Sequence, residues 1–513
     1  MGSDASLPRQ VDVVVLGGGP AGCAAAIALR QNGLQVLVVE RLRSPRPDGW
    51  ASLPPKAQSL LALLGLLRAV ERADFVRMRG LHICSSGRSV AEAFDPVGQS
   101  LGYQLERRLF DELLVARVRA LGGQFVDDCE VVGVLGDPPG VVEGVLLRCA
   151  PTDAPTEVEA RFVIDASGRS RVLGTNLALG WSSGPKTKVL SGAWVLSFAD
   201  DRGADTDTCL EILPGGWVSS SIHRGPTRNV SVGVDDDALV GRGLTQRLDV
   251  YQTMIGDSTL IAELIHSGRL IGPVTMRDAT VGAADRFVGS GFVLAGDAAF
   301  VTEAILFDGI HRALHSGIVA AAVANTAVRS PGDAQMALSY YDSAQRVSAG
   351  VYATRDQAWF DAYRAVGPFW AERGRPLASD KSRALATKGA RVVGAGVEPD
   401  TDVLAFAERL RRREPDRVRL TLTESGRVEV GAGPRRGMIA PISRFVVRGI
   451  EFETGDVEMQ HLAPLLDGRP LVAVFEAYAA SIGVPDTELL RAAQISVLAG
   501  LLALDVVEIV EES

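Results

Sequence analysis

Cysteine is scarce. The chain has five in 513 residues, Cys23, Cys84, Cys129, Cys149 and Cys209, far apart and without a CxxC pair. Such an uneven, dispersed set suggests no disulfide framework and no metal-binding spacing, so a reduced cytoplasmic protein is expected. No apolar run reaches the ~20 residues of a bilayer span: "GIVAAAVANTAV" stops short, and "ISVLAGLLALDVVEIV" is broken by Asp505 and Glu508. The opening "MGSDASLPRQ" lacks the basic-then-apolar order of a signal peptide, so secretion is not expected. Positive charge is not in excess either. With 53 Lys+Arg against 62 Asp+Glu, net charge is −9, and the short mixed basic runs argue against a nucleic-acid binder. What remains is core-forming, with 47% hydrophobic and 22% charged residues, and the length suits two to four domain-sized units.

The first organised stretch is a βαβ unit. "VDVVVL" (11–16) is a β-rich apolar run, "AGCAAAIALRQNG" a small-residue helix closed by Gly33, and "LQVLVVE" a second strand. Gly17, Gly19 and Gly22 fall between strand and helix in G-x-G-x-x-G spacing. The first glycine suits the tight turn, the second lets backbone approach a pyrophosphate, and the third lets helix pack on strand, while the helix N-terminus adds amide donors. Pro20 and Ala21 lie inside this turn. Glu40 closes the next strand, about 20 residues on, where an acid accepts from ribose hydroxyls and disfavours a 2′-phosphate; Arg41 adjoins it. ADP in FAD or NAD is therefore expected rather than NADP.

Three later segments favour FAD. "GYQLERRLFDELL" (102–114), "ARFVIDASGRSRVLG" (160–174) and "FVLAGDAAF" (292–300) stand in the order and spacing of the flavoprotein monooxygenase, halogenase and geranylgeranyl reductase superfamily, which residues 10–370 resemble. The resemblance implies that Arg107 reaches the FAD pyrophosphate, that Asp165 and Gly168 lie beside the nucleotide, and that Asp297 accepts from the ribityl chain. Gly296 and Ala298 would allow close backbone approach, and Gly309 with Ile310 would start a helix facing the flavin.

The stretch at 41–67, "RLRSPRPDGWASLPPKAQSLLALLGLL", resembles the arginine, Gly-Glu-Ser and proline loop of flavin-dependent halogenases. Ser52, Leu53 and Pro55 match, whereas Trp50 and Ala51 replace Gly and Glu. Halogenases need a lysine a little further on, and this chain has none between Lys56 and Lys186, which counts against halogenation. Their Gly-Trp-x-Trp-x-Ile-Pro strand is reduced to Gly216 and Trp217, with Ser219 in place of the second tryptophan. Trp50 and Trp217 are candidate walls of the substrate pocket, and Trp217 serves equally as a core aromatic. His223 is a candidate acid/base, with a structural histidine as the alternative. No second G-x-G-x-x-G follows, since "VVGAGVEPD" has only Gly394 and Gly396. Electrons would come from docked NAD(P)H or a separate flavin reductase.

The leading expectation is a monooxygenase that hydroxylates an electron-rich, aromatic substrate through a flavin C4a-oxygen adduct. Three alternatives stand beside it: a reductase or dehydrogenase of the geranylgeranyl reductase type, suggested by "GIHRALHSG" (309–317); a halogenase with a displaced lysine; and a peptide- or partner-binding flavoprotein. Glu303 and Asp308 occupy places where the family has small or apolar residues and a proline. The loop context favours solvated carboxylates, with a base or a contact for a cationic substrate as the other reading.

The expected fold is α/β: a Rossmann-like FAD-binding domain over 8–375, with an interleaved β-sheet substrate domain (about 60–100 and 175–285) and a long helical segment (333–372). A polar, Gly-interrupted linker (376–400) leads to a winged-helix-like α+β domain (401–513), where hairpin-like strands precede helices. That tail faintly resembles the winged-helix peptide-recognition domains that accompany enzymes modifying ribosomal peptides. The resemblance implies a substrate tethered to a peptide or carrier as an alternative to a free small molecule.

Overall fold

A computed structural model describes residues 7–44, 49–94, 101–137, 140–150, 154–197, 206–239, 241 and 243–373. Beyond these it describes 419–422, 427–435, 437–447, 450–452, 459–481, 494, 498 and 507–510. The expected linker, with Gly394 and Gly396, lies outside the described residues, as does most of the helix expected after Pro485. The chain divides into two compact units, Met1–Arg383 and Ala384–Ser513.

The first unit is built on a parallel sheet. Its strands run in the order Gln124–Val126, Val36–Val39, Gln10–Leu16, Thr156–Asp165, Phe292–Leu294, all parallel, with Val13 opposite Val36 and Val14 opposite Val163. Valine suits both faces, because helices cover the sheet and its central strands are almost fully buried. The first helix (Pro20–Gln31) follows the first strand with proline in its first turn, where a missing N–H costs nothing. Its alanines let a later helix, the cleft helix (Gly309–Arg329), come very close: a Cβ on Gly317 would stand 2.2 Å from the Ala21 carbonyl oxygen. This is the Rossmann-like α/β architecture expected from the sequence.

A second, mostly antiparallel sheet of seven strands is threaded through the first unit. Its order is Gly268–Asp278, Thr187–Leu196, Thr227–Asp235, Gly216–Ile222, Thr208–Leu213, Gly80–Ser85, Arg88–Ala93. The long helix (Ala334–Tyr363) and a short one (Pro368–Arg373) pack on it. Trp370 donates its indole N–H to the Leu213 carbonyl at 2.8 Å within a buried cluster including Phe360, Phe369, Ile212 and Trp217. Each phenylalanine buried here contributes about 2 to 3 kcal/mol. Tyr341 of the long helix donates to the Leu294 carbonyl at 2.8 Å, tying that helix to the parallel sheet.

One expectation fails in this unit. Cys129 and Cys149 form a disulfide, because the antiparallel hairpin strands Glu130–Asp137 and Val141–Arg148 bring their flanks together. Cys23, Cys84 and Cys209 are free and buried. The dispersed sequence positions hid a pairing that hairpin register creates. Among the described residues no helix is long and apolar enough to cross a membrane.

In the second unit, the described strands make two antiparallel three-stranded sheets. Arg419–Leu422 pairs with Asp467–Pro470 and Val507–Val510, and Met438–Val447 pairs with Arg427–Arg435 and Ile450–Phe452. The helix Leu471–Ser481 buries Leu471, Val474, Phe475 and Tyr478.

Candidate functional site: a cleft between two sheets

Two cavities meet at the turn that leaves the first strand. The larger cleft, about 310 Å³, is lined on one side by Gly19, Pro20, Ala21, Ser167, Gly168, Gly309 and Ile310, and on the other by the seven-stranded sheet. The smaller, about 300 Å³, is lined by Gly17, Glu40, Arg41 and Ser167 among others. Gly17 has φ +100°, and a Cβ there would meet the Ala166 carbonyl oxygen at 2.4 Å, so only glycine makes this turn. A Cβ on Gly22 would stand 1.8 Å from the Gly17 oxygen; the third glycine holds helix against strand and does not line either cavity. Glu40 is buried, with one carboxylate oxygen accepting from the Gly18 N–H at 2.8 Å and the other from the Leu42 N–H at 2.9 Å.

The cleft suits an extended anionic dinucleotide. Gly168, at φ +64°, and Gly309 both have open space where a Cβ would point, so backbone is presented to whatever fills the cleft. Arg107, Arg169, Arg277 and Arg312 line it, and Arg107 and Arg169 both repel buried Arg277, a crowding that a diphosphate would offset. Arg107 pairs with Asp111 one helical turn on, at 3.2 Å. Asp297 lines the cleft and pairs with the Arg312 guanidinium, whose other nitrogen donates to the Phe300 carbonyl at 2.7 Å. Gly296, at φ +62°, sits behind Asp297 against Ala21, and its N–H donates to the Ser316 hydroxyl at 2.9 Å.

Asp165 takes a different place from the one expected. It is fully buried, accepts from the backbone N–H of Ser167 at 2.9 Å and of Leu173 at 2.7 Å, and does not line either cavity. Desolvation by burial raises its carboxyl above the ordinary range while these hydrogen bonds oppose the rise. It shapes the loop that presents Ser167 and Gly168.

The opposite wall carries Trp50, Trp217 and a row of small polar side chains: Ser52, Thr208, Ser219, Ser221, Asn229 and Ser231. Ser52 donates to Gln104 at 2.7 Å and lies 3.0 Å from the Thr208 hydroxyl, which fixes the short strand Trp50–Leu53 that bears Trp50. Trp217 is 2% exposed and joins both readings, packing in the core while its edge reaches the cleft. His223 stands behind this wall. Trp50 covers it at 4.1 Å between ring centroids, its Nε2 is 3.0 Å from the Ser221 hydroxyl, and it does not line the cleft. Burial, with the nearby Arg228 charge, lowers it to about 3, so it is a neutral structural imidazole rather than an acid/base.

Glu303 and Asp308 correct the expectation of solvated loop carboxylates, since both are buried. Asp308 is ringed by partners: its Oδ2 accepts from Lys56 Nζ at 3.0 Å and from the Tyr352 hydroxyl, while His311 Nδ1 stands 3.2 Å from Oδ1 and Arg355 lies at 3.8 Å. Burial opposes its ionisation, but these partners outweigh it and hold the carboxyl well below its ordinary range. Glu303 lines the cleft and has no such partners. Burial, then the neighbouring Asp356, pushes it up to about 8, while burial pushes Asp356 itself to about 7. Sequence reasoning missed Asp356, Tyr352 and Lys56 as site residues. The available signal was polar Tyr352 and Asp356 one turn apart on a helix that buries that face.

A family model described as FAD binding domain matches residues 10–215. A Tryptophan 2-halogenase from Chondromyces crocatus is 24% identical over 339 residues, and the match spans 65% of this chain and 65% of that relative's length. The solved structure of CmlS, a flavin-dependent halogenase, is similar with a TM-score of 0.72 at 18% identity, covering 98% of this chain and 96% of its own. The peptidyl tryptophan dihydroxylase QhpG, essential for tryptophylquinone cofactor biogenesis, is similar at a TM-score of 0.62 and 22% identity, covering 96% of this chain and 99% of its own. At these identities the likeness is one of fold.

Proposed function

We propose that this flavoprotein, an FAD-dependent oxidoreductase with an FAD-binding domain over residues 10–215, is a monooxygenase that hydroxylates an electron-rich aromatic group. Bound FAD stores the electrons and activates oxygen. The chain's own residues bind, orient and exclude water. Glu40, oriented by the two amides it accepts, takes the ribose hydroxyls, with Arg41 beside it. Backbone at Gly17, Gly19, Pro20 and Ala21, together with Arg107, holds the diphosphate. Asp297 would take the ribityl chain, Gly168 leaves open space beside it while Gly296 packs behind it against Ala21, and Gly309 and Ile310 would present the start of the cleft helix to the bound cofactor.

One observation carries the choice of hydroxylation: the sheet-side wall of the cleft combines Trp50 and Trp217 with hydroxyls, and among the described residues no lysine lines the cleft. Lys56 is held at 3.0 Å by buried Asp308 and does not line the cleft, which leaves no free ammonium for a hypohalous species. QhpG, which acts on a peptidyl tryptophan, supports an indole-like ring carried on a peptide or carrier as the substrate, although a free small molecule fits the same cleft. NAD(P)H or a flavin reductase supplies electrons.

The test is direct. Purified protein is loaded with FAD, reduced without oxygen, and mixed with labelled dioxygen and tryptophan-bearing peptides or free aromatics. One labelled oxygen atom in the product supports the reading. Chlorinated product in the presence of chloride rejects it in favour of halogenation, and turnover without oxygen rejects it in favour of reduction.

A further inference from the structure

Glu303 and Asp356 form a buried carboxyl pair of an unusual kind. Glu303 precedes the turn Ala304–Leu306, and Asp356 projects from the long helix; the Glu303 backbone N–H donates to Asp356 Oδ2 at 3.3 Å. The other oxygen of Asp356 is buried without a hydrogen-bond partner, and among the described residues neither carboxyl makes an ion pair within 4 Å. Asp308, five residues from Glu303, is surrounded by three basic side chains and a tyrosine. Two unpaired carboxyls in a desolvated site, one of them bonded to the other residue's backbone N–H, do not both ionise near neutral pH. Only Glu303 of the two lines the cleft. The charges that face Glu303 are Asp356 from the long helix, Arg373 from the helix after it and Arg169 from the loop beside Gly168; those that face Asp356 include Arg355 and Arg312.

We propose that Glu303 and Asp356 share one proton at neutral pH and that Glu303 exchanges it with the substrate at the cleft wall. The second half rests on the hydroxylation reading above; the first half does not. In hydroxylation a C–H bond and the O–O bond of dioxygen break, and a C–O bond forms. Two electrons and two protons, supplied by the nicotinamide or reductase, convert the other oxygen atom to water. The ring proton needs a base. With the shared proton lodged on Asp356, the Glu303 carboxylate is that base, and it passes the ring proton on to the newly placed oxygen, which completes the product hydroxyl.

The experiment follows the carbonyl stretch of protonated carboxylic acids by infrared difference spectroscopy, as a pH titration of the FAD-loaded protein. Wild type should show a band lost between neutral and mildly alkaline pH; in Glu303→Gln, where only the Asp356 acid remains, a weaker band should persist and titrate at about 7. In Asp356→Asn the midpoint should fall below that of wild type by about one pH unit or more, because a like charge has been removed. Near-isosteric amides preserve packing, and an unchanged FAD spectrum checks folding. No such band, or one titrating only in the range of ordinary carboxylates, overturns the shared proton. If the band behaves as expected but Glu303→Gln leaves turnover and its pH profile unaltered, the substrate-proton role is overturned. Turnover should fall at least tenfold in Glu303→Gln, and its alkaline-rising limb should move with the band in Asp356→Asn. Failure of oxygen incorporation would reject the hydroxylation reading and leave the infrared result standing.

Discussion

Replacing Gly22 by alanine is the sharpest test of how the nucleotide turn is built. The added Cβ would stand 1.8 Å from the Gly17 carbonyl oxygen and 3.2 Å from Val15 Cγ1. The first of these is backbone of the turn itself, so it has no rotamer to change. A tolerable separation requires the first helix to retreat by roughly 1 Å from the first strand. That helix also carries Ala21, against which Gly296 and Gly317 pack, so the retreat is resisted from the other side. Overpacking of this kind costs about 2 to 3 kcal/mol, which in a unit of this size lowers the melting temperature by roughly 3 to 4 °C. The same movement displaces Gly19 and Pro20, so FAD affinity should fall at least tenfold. The assays are thermal unfolding of the FAD-free protein and quenching of flavin fluorescence on titration. A variant that melts within 1 °C of wild type and binds FAD equally would refute both the close-packed turn and its role in cofactor binding.

Gly309→Val should do the opposite, because nothing lies within 4 Å of its added Cβ: the FAD-free protein should melt nearly as wild type, while FAD affinity drops about tenfold or more. Glu303 is protonated more readily folded than unfolded, so its contribution to stability is present in acid and is lost as pH rises from about 4.5 to about 8. Glu303→Gln should therefore lose less stability than wild type over that window, by up to about 4 kcal/mol in denaturant unfolding, and parallel curves would contradict the buried acid. Lys56→Met removes one partner from buried Asp308 and should cost about 1 to 2 kcal/mol, and an unchanged melting temperature would show that Tyr352, His311 and Arg355 suffice. Arg107→Ala should weaken FAD binding with a salt dependence shallower than wild type, measured by fluorescence titration at two ionic strengths.

Much of the fold was legible because its signals are local. "VDVVVL", the glycine turn and the alanine helix lie within 25 residues, and each states its own geometry. The cleft side of Glu303 and Asp308 was not. Their partners are remote: Lys56 is 252 positions from Asp308, Tyr352 is 44, and Asp356 is 53 from Glu303. A carboxylate in a loop reads as solvated until a distant helix covers it. His223 misled for a similar reason, since strand alternation does not tell which neighbour, here Trp50, stands in front. Asp165 sits at a strand end, where the turn it caps competes with any ligand for its oxygens. The disulfide depended on hairpin register, which neither the count nor the spacing of cysteines contains.

The long helix sets a further constraint. Tyr341 anchors it to the parallel sheet, and about three to four turns later Tyr352, Arg355 and Asp356 deliver hydroxyl, guanidinium and carboxyl to the loop at 303–308. Between anchor and delivery the helix transmits angle as well as distance. One residue inserted there turns everything beyond it by about 100° and advances it by about 1.5 Å, enough to aim Asp356 away from Glu303 and Tyr352 away from Asp308. The segment between Tyr341 and Tyr352 is thus a phase-locked spacer, its length fixed by what the helix must hold at either end.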